Sequence, residues 1–165
     1  MSKGTRTYVT VYEYGERDLA MLDRGVNLET DQFFEDVVPF KHEWGPTAYI
    51  ELEDLDYVPN QQQLTFICET KWDAPTGWLK AASVSPYFQG KLIVAATITR
   101  DESHVEGYAF MNHDLLQERT LLHVDPAVIG EMYTNDEVDE IDEMLWGPIR
   151  SFEQECQEFY IENEG

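Results

Sequence analysis

Leu64-Thr65-Phe66-Ile67-Cys68-Glu69-Thr70, followed by Lys71-Trp72-Asp73-Ala74-Pro75 and then Trp78-Leu79-Lys80-Ala81-Ala82, reads as a strand that hands over to a helix. Leu64, Phe66 and Cys68 alternate with more polar neighbours, the period of a half-buried strand. Asp73 is placed to cap the helix and Pro75 suits its first turn. Trp78, Leu79 and Ala82 form its apolar face, and Ser85-Pro86 ends it. Beyond it, Lys91–Thr99 is apolar on both faces, with Leu92, Val94, Ala96 and Ile98 on one and Ile93 and Ala95 on the other. Such a run fits a strand covered on both sides. Arg100–Ser103 is a polar turn, and His104–Met111 is the partner strand.

Working outward, Arg6–Tyr14 reads as a strand with Val9 and Val11 on one face and Tyr8, Thr10, Tyr12 and Tyr14 on the other. Thr30 and Asp31 are placed to cap a short helix carrying Phe33, Phe34, Val37 and Val38, which Pro39 stops. Ala48–Leu52 is a short strand and Glu53–Gln63 a loop around Pro59-Asn60. Past His113 the spacing looks helical. Asp114–Leu122 and Pro126–Tyr133 are expected as short helices, and Thr134 with Glu137 resembles a capping box. Val138, Ile141 and Leu145 continue at helical spacing; Gly147-Pro148 is expected to interrupt it before Ile149, Phe152, Cys156 and Phe159 resume. The order strand, helix, strand, strand, helix, strand matches a split βαβ sandwich. The expectation is an α+β ferredoxin-like antiparallel sheet over residues 1–113, with residues 114–165 as an acidic helical C-terminal extension packed on it.

The strand–helix segment carries a resemblance. Phe66-Ile67-Cys68-Glu69-Thr70-Lys71-Trp72-Asp73-Ala74-Pro75, then Trp78-Leu79-Lys80-Ala81-Ala82-Ser83, resembles the YubB ferredoxin-like domain of phage- and plasmid-encoded Api-type proteins. The matching pattern is a strand ending in Thr70-x-Trp72-x-x-Pro75, a short helix ending near Ser83, then a strand pair, over roughly residues 45–112. The chain departs from it at Ser85-Pro86-Tyr87-Phe88, where the family has a Phe-Pro step. It departs again at Asp101-Glu102-Ser103, where the family has a Glu-rich turn containing glycine, and the acidic tail is not part of the pattern. The resemblance implies a fold and a mobile-element origin, and no reaction.

Charge bounds the function. The 165 residues hold 33 acids and 11 bases, a net charge of −22. Residues 131–165 hold 12 acids and one base, Arg150, so half of the excess lies in the last 35 residues. Nucleic acid is a poor ligand for such a surface, because phosphate binding is driven by Lys and Arg. Tyr8, Tyr12 and Tyr14 on an open sheet would mimic an RNA-stacking platform, but that platform needs a basic surround. They fit better as an alternative protein interface, or packed beneath the C-terminal helices. No apolar run approaches the ~18 residues of a membrane span. The first residues lack the apolar core of a signal peptide. Cys68 and Cys156 read as two reduced thiols, so a cytoplasmic setting is expected.

Chemistry-bearing motifs are sparse. His42, His104, His113 and His123 lack metal-ligand spacing, and His42-Glu43 lacks the second histidine of a zinc-protease helix. Asp136, Glu137, Asp139 and Glu140 lack the glycine of a calcium loop. No phosphate loop or serine elbow is visible, so neither an enzyme nor a cofactor is expected, and an enzyme of unknown reaction stands last.

The acids of the tail are the candidate partner-binding residues: Asp136, Glu137, Asp139, Glu140, Asp142, Glu143, Glu153, Glu155, Glu158 and Glu162. Carboxylates three and four apart lie about 5–6 Å from each other on a helix, comparable to phosphates along one strand. Twelve acids over ~45 Å of helix give one charge per ~4 Å, against one per ~1.7 Å in duplex DNA. Mimicry would be partial, or sharpened in a homodimer. The expected function is therefore a phage- or mobile-element-encoded binder that inhibits a host protein with a basic surface, such as a nuclease, restriction, CRISPR, transcription or protease component. A non-mimetic scaffold using the tyrosine face is the alternative. Acid that only keeps the chain soluble, or suits a salty cytoplasm, competes with both.

Overall fold

The computed structural model describes residues 4–45, 49–71 and 73–162. Among these residues the chain forms one six-stranded antiparallel sheet and five α-helices. The elements are β1 (Thr5–Val11), α1 (Glu16–Gly25), α2 (Gln32–Val37), β2 (Ile50–Val58), β3 (Gln63–Thr70) and α3 (Thr76–Ala82). They are followed by β4 (Ile93–Ile98), β5 (His104–Met111), β6 (Asp114–His123), α4 (Pro126–Thr134) and α5 (Val138–Tyr160). Strand order is β2-β3-β1-β4-β5-β6. The first four strands follow the ferredoxin-like order, so the fold is α+β as the element pattern indicates. The β5–β6 hairpin then extends the sheet past β4.

One face of the sheet is covered by α1, α2 and α3. Val9 and Val11 of β1, Leu64, Phe66 and Cys68 of β3, and Ile93 and Ala95 of β4 meet Phe33, Phe34, Trp78 and Leu79 there. Phe33, Phe34, Phe66 and Trp78 form a ring cluster with centroids 5.1–6.5 Å apart. Buried indole nitrogens need acceptors. Trp78 Nε1 donates to the Phe34 carbonyl and Trp44 Nε1 to the Val38 carbonyl, both at 3.0 Å. Gly77 is required here, because a Cβ would collide with the Trp44 carbonyl. Trp72 of the Thr70-x-Trp72-x-x-Pro75 pattern lies outside the described residues.

The opposite face is covered by α5. Ile141, Leu145, Ile149, Phe152 and Cys156 recur every three or four residues and are all buried. They cover Val94, Ala96 and Ile98 of β4 and Val105 and Ala109 of β5. Gly107 lets the helix approach: a Cβ there would stand 2.8 Å from the Phe152 ring.

Four expectations are corrected. Asp114–Leu122 is a strand, not a helix. Its Leu115-Leu116 and Leu121-Leu122 pairs imitate helical spacing, but two register shifts opposite β5 insert Leu116 and Leu121 as extra residues. Both turn toward α5. The extension therefore begins beyond β6, not at residue 114. Second, Gly147-Pro148 does not break α5. An interior proline costs about 3 kcal/mol, and continuous docking of the stripe offsets it. Gly147, lacking a Cβ, relieves the clash proline imposes on the preceding residue. Third, β2 runs on to Val58 through the stretch expected as loop, carried by half-buried Leu55 and Tyr57. Fourth, Asp31, Asp73 and Thr134 do not cap: the Asp31 carboxylate accepts from the Leu52 amide, α3 starts after Pro75, and the Thr134 hydroxyl donates to the Gly130 carbonyl. The sequence reading places no helix over Glu16–Gly25, where α1 turns Leu19 and Leu22 onto the core.

Truncating Trp78 to Ala should destabilise the chain by about 3–5 kcal/mol. Gly107→Val should cost about 1–3 kcal/mol by overpacking against Phe152. Urea unfolding followed by far-UV dichroism measures both.

Candidate functional site

The outer side of α5 is acidic because its inner side is fully spent on the sheet. Asp139, Glu140, Asp142, Glu143, Glu155 and Glu158 are all exposed. Asp136, in a left-handed turn with φ 58°, and Glu162 extend the exposed acid beyond the helix ends. Arg150 pairs with Glu143 at 3.2 Å, and Arg119 of β6 reaches Glu155 at 2.6 Å. Both pairs are exposed, and such pairs contribute little to stability.

Two of the expected binding residues are only partly exposed. Glu137 is half-buried at the start of α5. Glu153 is half-buried beneath the helix, where its carboxylate accepts from Tyr12 Oη at 3.1 Å and Thr10 Oγ1 at 3.5 Å. Desolvation holds the Glu153 carboxyl above the usual carboxylate range, with the two hydroxyls and Arg150 opposing. Burial and the neighbouring Glu153 charge push the Tyr12 phenol far up in turn.

The three tyrosines do not form a common face. Tyr8 is half-buried edge-on to Trp146 of α5, with ring centroids 4.6 Å apart. Tyr12 is buried with Phe152 and Cys156. Tyr14 lies on the other side of the sheet with Phe88, because β1 ends at Val11 and Glu13 takes φ 54°. The change of backbone hand breaks the alternation that the sequence suggested. Packing under the C-terminal helix accounts for Tyr8 and Tyr12.

The extended β2 carries a second acidic strip. Register places Glu51 beside Glu69 and Arg6, Asp54 beside Ile67 and Tyr8, and Asp56 beside Thr65 and Thr10, all on the α5 side of the sheet. Glu51 has its carboxyl raised, by desolvation first and then by Asp31, Glu69 and Glu53. Glu53 pairs with Arg6 at 3.0 Å. Between the start of β3 and the C-terminal half of α5 runs a groove of about 510 Å³ lined by Tyr12, Gln61, Gln63, Arg150, Glu153, Gln154 and Gln157. The sequence hides the strip because a bulge at Glu53 breaks the alternation between Glu51 and Asp54.

Cys68 and Cys156 are buried on opposite faces of the sheet and do not bridge. Burial pushes the Cys68 thiol far up and the Cys156 thiol to about 11, the reverse of an activated nucleophile. Among the described residues no three His, Cys, Asp or Glu side chains are grouped to hold a metal ion. No helix among them is long and apolar enough to cross a membrane. No family model, curated protein or solved structure was found to match the chain.

The buried carboxylate gives a pH prediction. Glu153 has a raised folded-state pKa, so its contribution favours the fold at low pH and is lost as pH rises through that value. Glu153→Gln keeps an acceptor for Tyr12 and removes the buried charge. The variant should melt higher than the parent at pH 7, and the difference should vanish toward pH 4. Calorimetric melting at the two pH values measures it.

Proposed function

We propose that the protein is an acidic binding module that occupies the basic, nucleic-acid-gripping surface of a partner protein and thereby inhibits it. The observation that supports this most is the exposed row Asp139, Glu140, Asp142 and Glu143 on a helix whose other side is anchored to a sheet. Like charges three and four apart cost a helix about 0.2–0.5 kcal/mol per pair. Anchoring keeps those charges in a fixed array, so binding meets little ordering cost. The β2 strip adds Glu51, Asp54 and Asp56 to the same side of the sheet, two strands from β1. At ~4.8 Å per strand, that strip lies ~10 Å to one side of β1. Two acidic rows on one side of the sheet resemble the two phosphate backbones of a duplex more than one row does. The charge density stays below that of DNA, so the mimicry is partial.

Host defence and DNA-processing proteins are the class of partner this surface suits, consistent with the mobile-element origin that the YubB likeness implies. The scaffold alternative loses its proposed surface, since Tyr12 and Tyr14 are buried.

The test is affinity capture from host lysate at two salt concentrations, with wild type and with Asp139, Glu140, Asp142 and Glu143 changed together to Asn or Gln. The wild type should retain a nucleic-acid-binding protein that duplex DNA displaces and that high salt releases. The neutralised variant should fold, because Ile141 and Leu145 are untouched, and should retain at least tenfold less. Equal retention by the two chains, insensitive to salt and to DNA, would sink the proposal.

A further inference from the structure

The β5–β6 hairpin places His104 directly opposite His123 across the ladder. Their Nδ1 atoms stand 3.0 Å apart, with ring planes at 81°. Two ring nitrogens at that distance share one hydrogen: one donates and the other accepts. The surrounding bonds fix which. His104 Nε2 lies 2.7 Å from Glu106 Oε1, and the same oxygen accepts the Thr120 hydroxyl at 2.9 Å. An ionised carboxylate only accepts, so His104 carries a hydrogen on Nε2, and in the neutral ring its Nδ1 is a bare lone pair. His123 then supplies the shared hydrogen from its own Nδ1.

A lone pair turned toward a second imidazole, with the opposite nitrogen anchored on a carboxylate, is how metal-ligating histidines are oriented. We propose that His104 and His123 chelate a divalent transition-metal ion through their Nδ1 atoms, with Glu106 as the positioning residue and water completing the coordination. The ion takes the place of the shared hydrogen, which moves to Nε2 of the exposed His123. No redox step is involved.

The separation also selects the metal. With metal–nitrogen bonds of 2.0–2.1 Å, as for Zn²⁺, nitrogens 3.0 Å apart subtend about 94° at the ion. A tetrahedral ion would need about 3.3 Å between them. A near-right angle suits the square-planar or octahedral positions of Cu²⁺ and Ni²⁺. Hard cations such as Mg²⁺ prefer oxygen ligands and have no reason to choose this pair. A bound ion would clip the edge strand β6 to β5, and an ion that binds only the folded chain raises its melting temperature. The site lies apart from the acidic face of α5 and stands whether or not the proposed function does.

Titration calorimetry of the full chain with NiCl₂ and with CuCl₂ tests it, with MgCl₂ measuring adventitious binding to surface carboxylates. One Ni²⁺ or Cu²⁺ per chain should bind, with a rise in melting temperature that Mg²⁺ does not give. His104→Gln and His123→Gln should each weaken binding at least tenfold. Glu106→Gln should weaken it by roughly 10–100-fold without removing a ligand, and the double variant His42→Gln, His113→Gln should bind as wild type does. Equal affinity in wild type and both ligand variants would overturn the proposal, since the ions would then sit on the acidic surface. Should either ligand variant fail to fold, the Cu²⁺ paramagnetic resonance spectrum of wild type decides. Couplings from two imidazole nitrogens support the site, and an all-oxygen spectrum refutes it.

Discussion

Strand β4 is buried at every one of its six residues, and that single constraint organises the molecule. A strand apolar on both faces needs a neighbour on each edge and a cover above and below. In the four-strand order β2-β3-β1-β4 it would be an edge, so β5 pairs against it and moves the edge outward. Helices α2 and α3 cover one face through Phe33, Phe34 and Trp78, and α5 covers the other through the stripe from Ile141 to Cys156. The C-terminal helix is thus a structural layer of the domain and not an appendage.

The distribution of charge follows from that packing. A helix with five buried apolar positions has only its outer surface left for its acids. Glu153 is the exception, drawn inward by the Tyr12 and Thr10 hydroxyls at the cost of a partly desolvated carboxylate. The edge strands show the same logic. β2 presents Glu51, Glu53, Asp54 and Asp56, and β6 presents Asp114, Glu118 and Arg119. Charged edges discourage strand addition from a second chain. Part of the acid therefore has a local structural use, and the ordered row on α5 is the part that the sheet does not need.

The legible parts of the sequence were those where one signal dominated. Alternation in Leu64–Thr70, the two-sided apolar run before Thr99, and the strand His104–Met111 placed three strands within a residue or two. Ile141, Leu145, Ile149, Phe152 and Cys156 marked the buried stripe of α5, while Val138 and Phe159, which fit the same period, end up 45% and 63% exposed. The failures came where two signals compete. Bulges hid β6 behind a helical leucine pattern, and the Asn112-His113 turn, with φ 51° and 73°, lacks the glycine that usually marks a tight hairpin.

The sequence by itself determined the α+β class, the buried central strand, the core positions of Phe33, Phe34, Phe66 and Trp78, and the concentration of acid in the last 35 residues. These depend on composition and on periods of two or 3.6, which are local properties of the chain. Only the tertiary structure decided which side chains meet. It split the tyrosines between two faces through one left-handed residue at Glu13, turned Glu153 inward, aligned the β2 acids on the α5 side of the sheet, and brought His104 within 3.0 Å of His123. The last two rest on strand register, and a one-residue slip would undo them. Local pattern does not encode register when bulges and positive-φ turns set it.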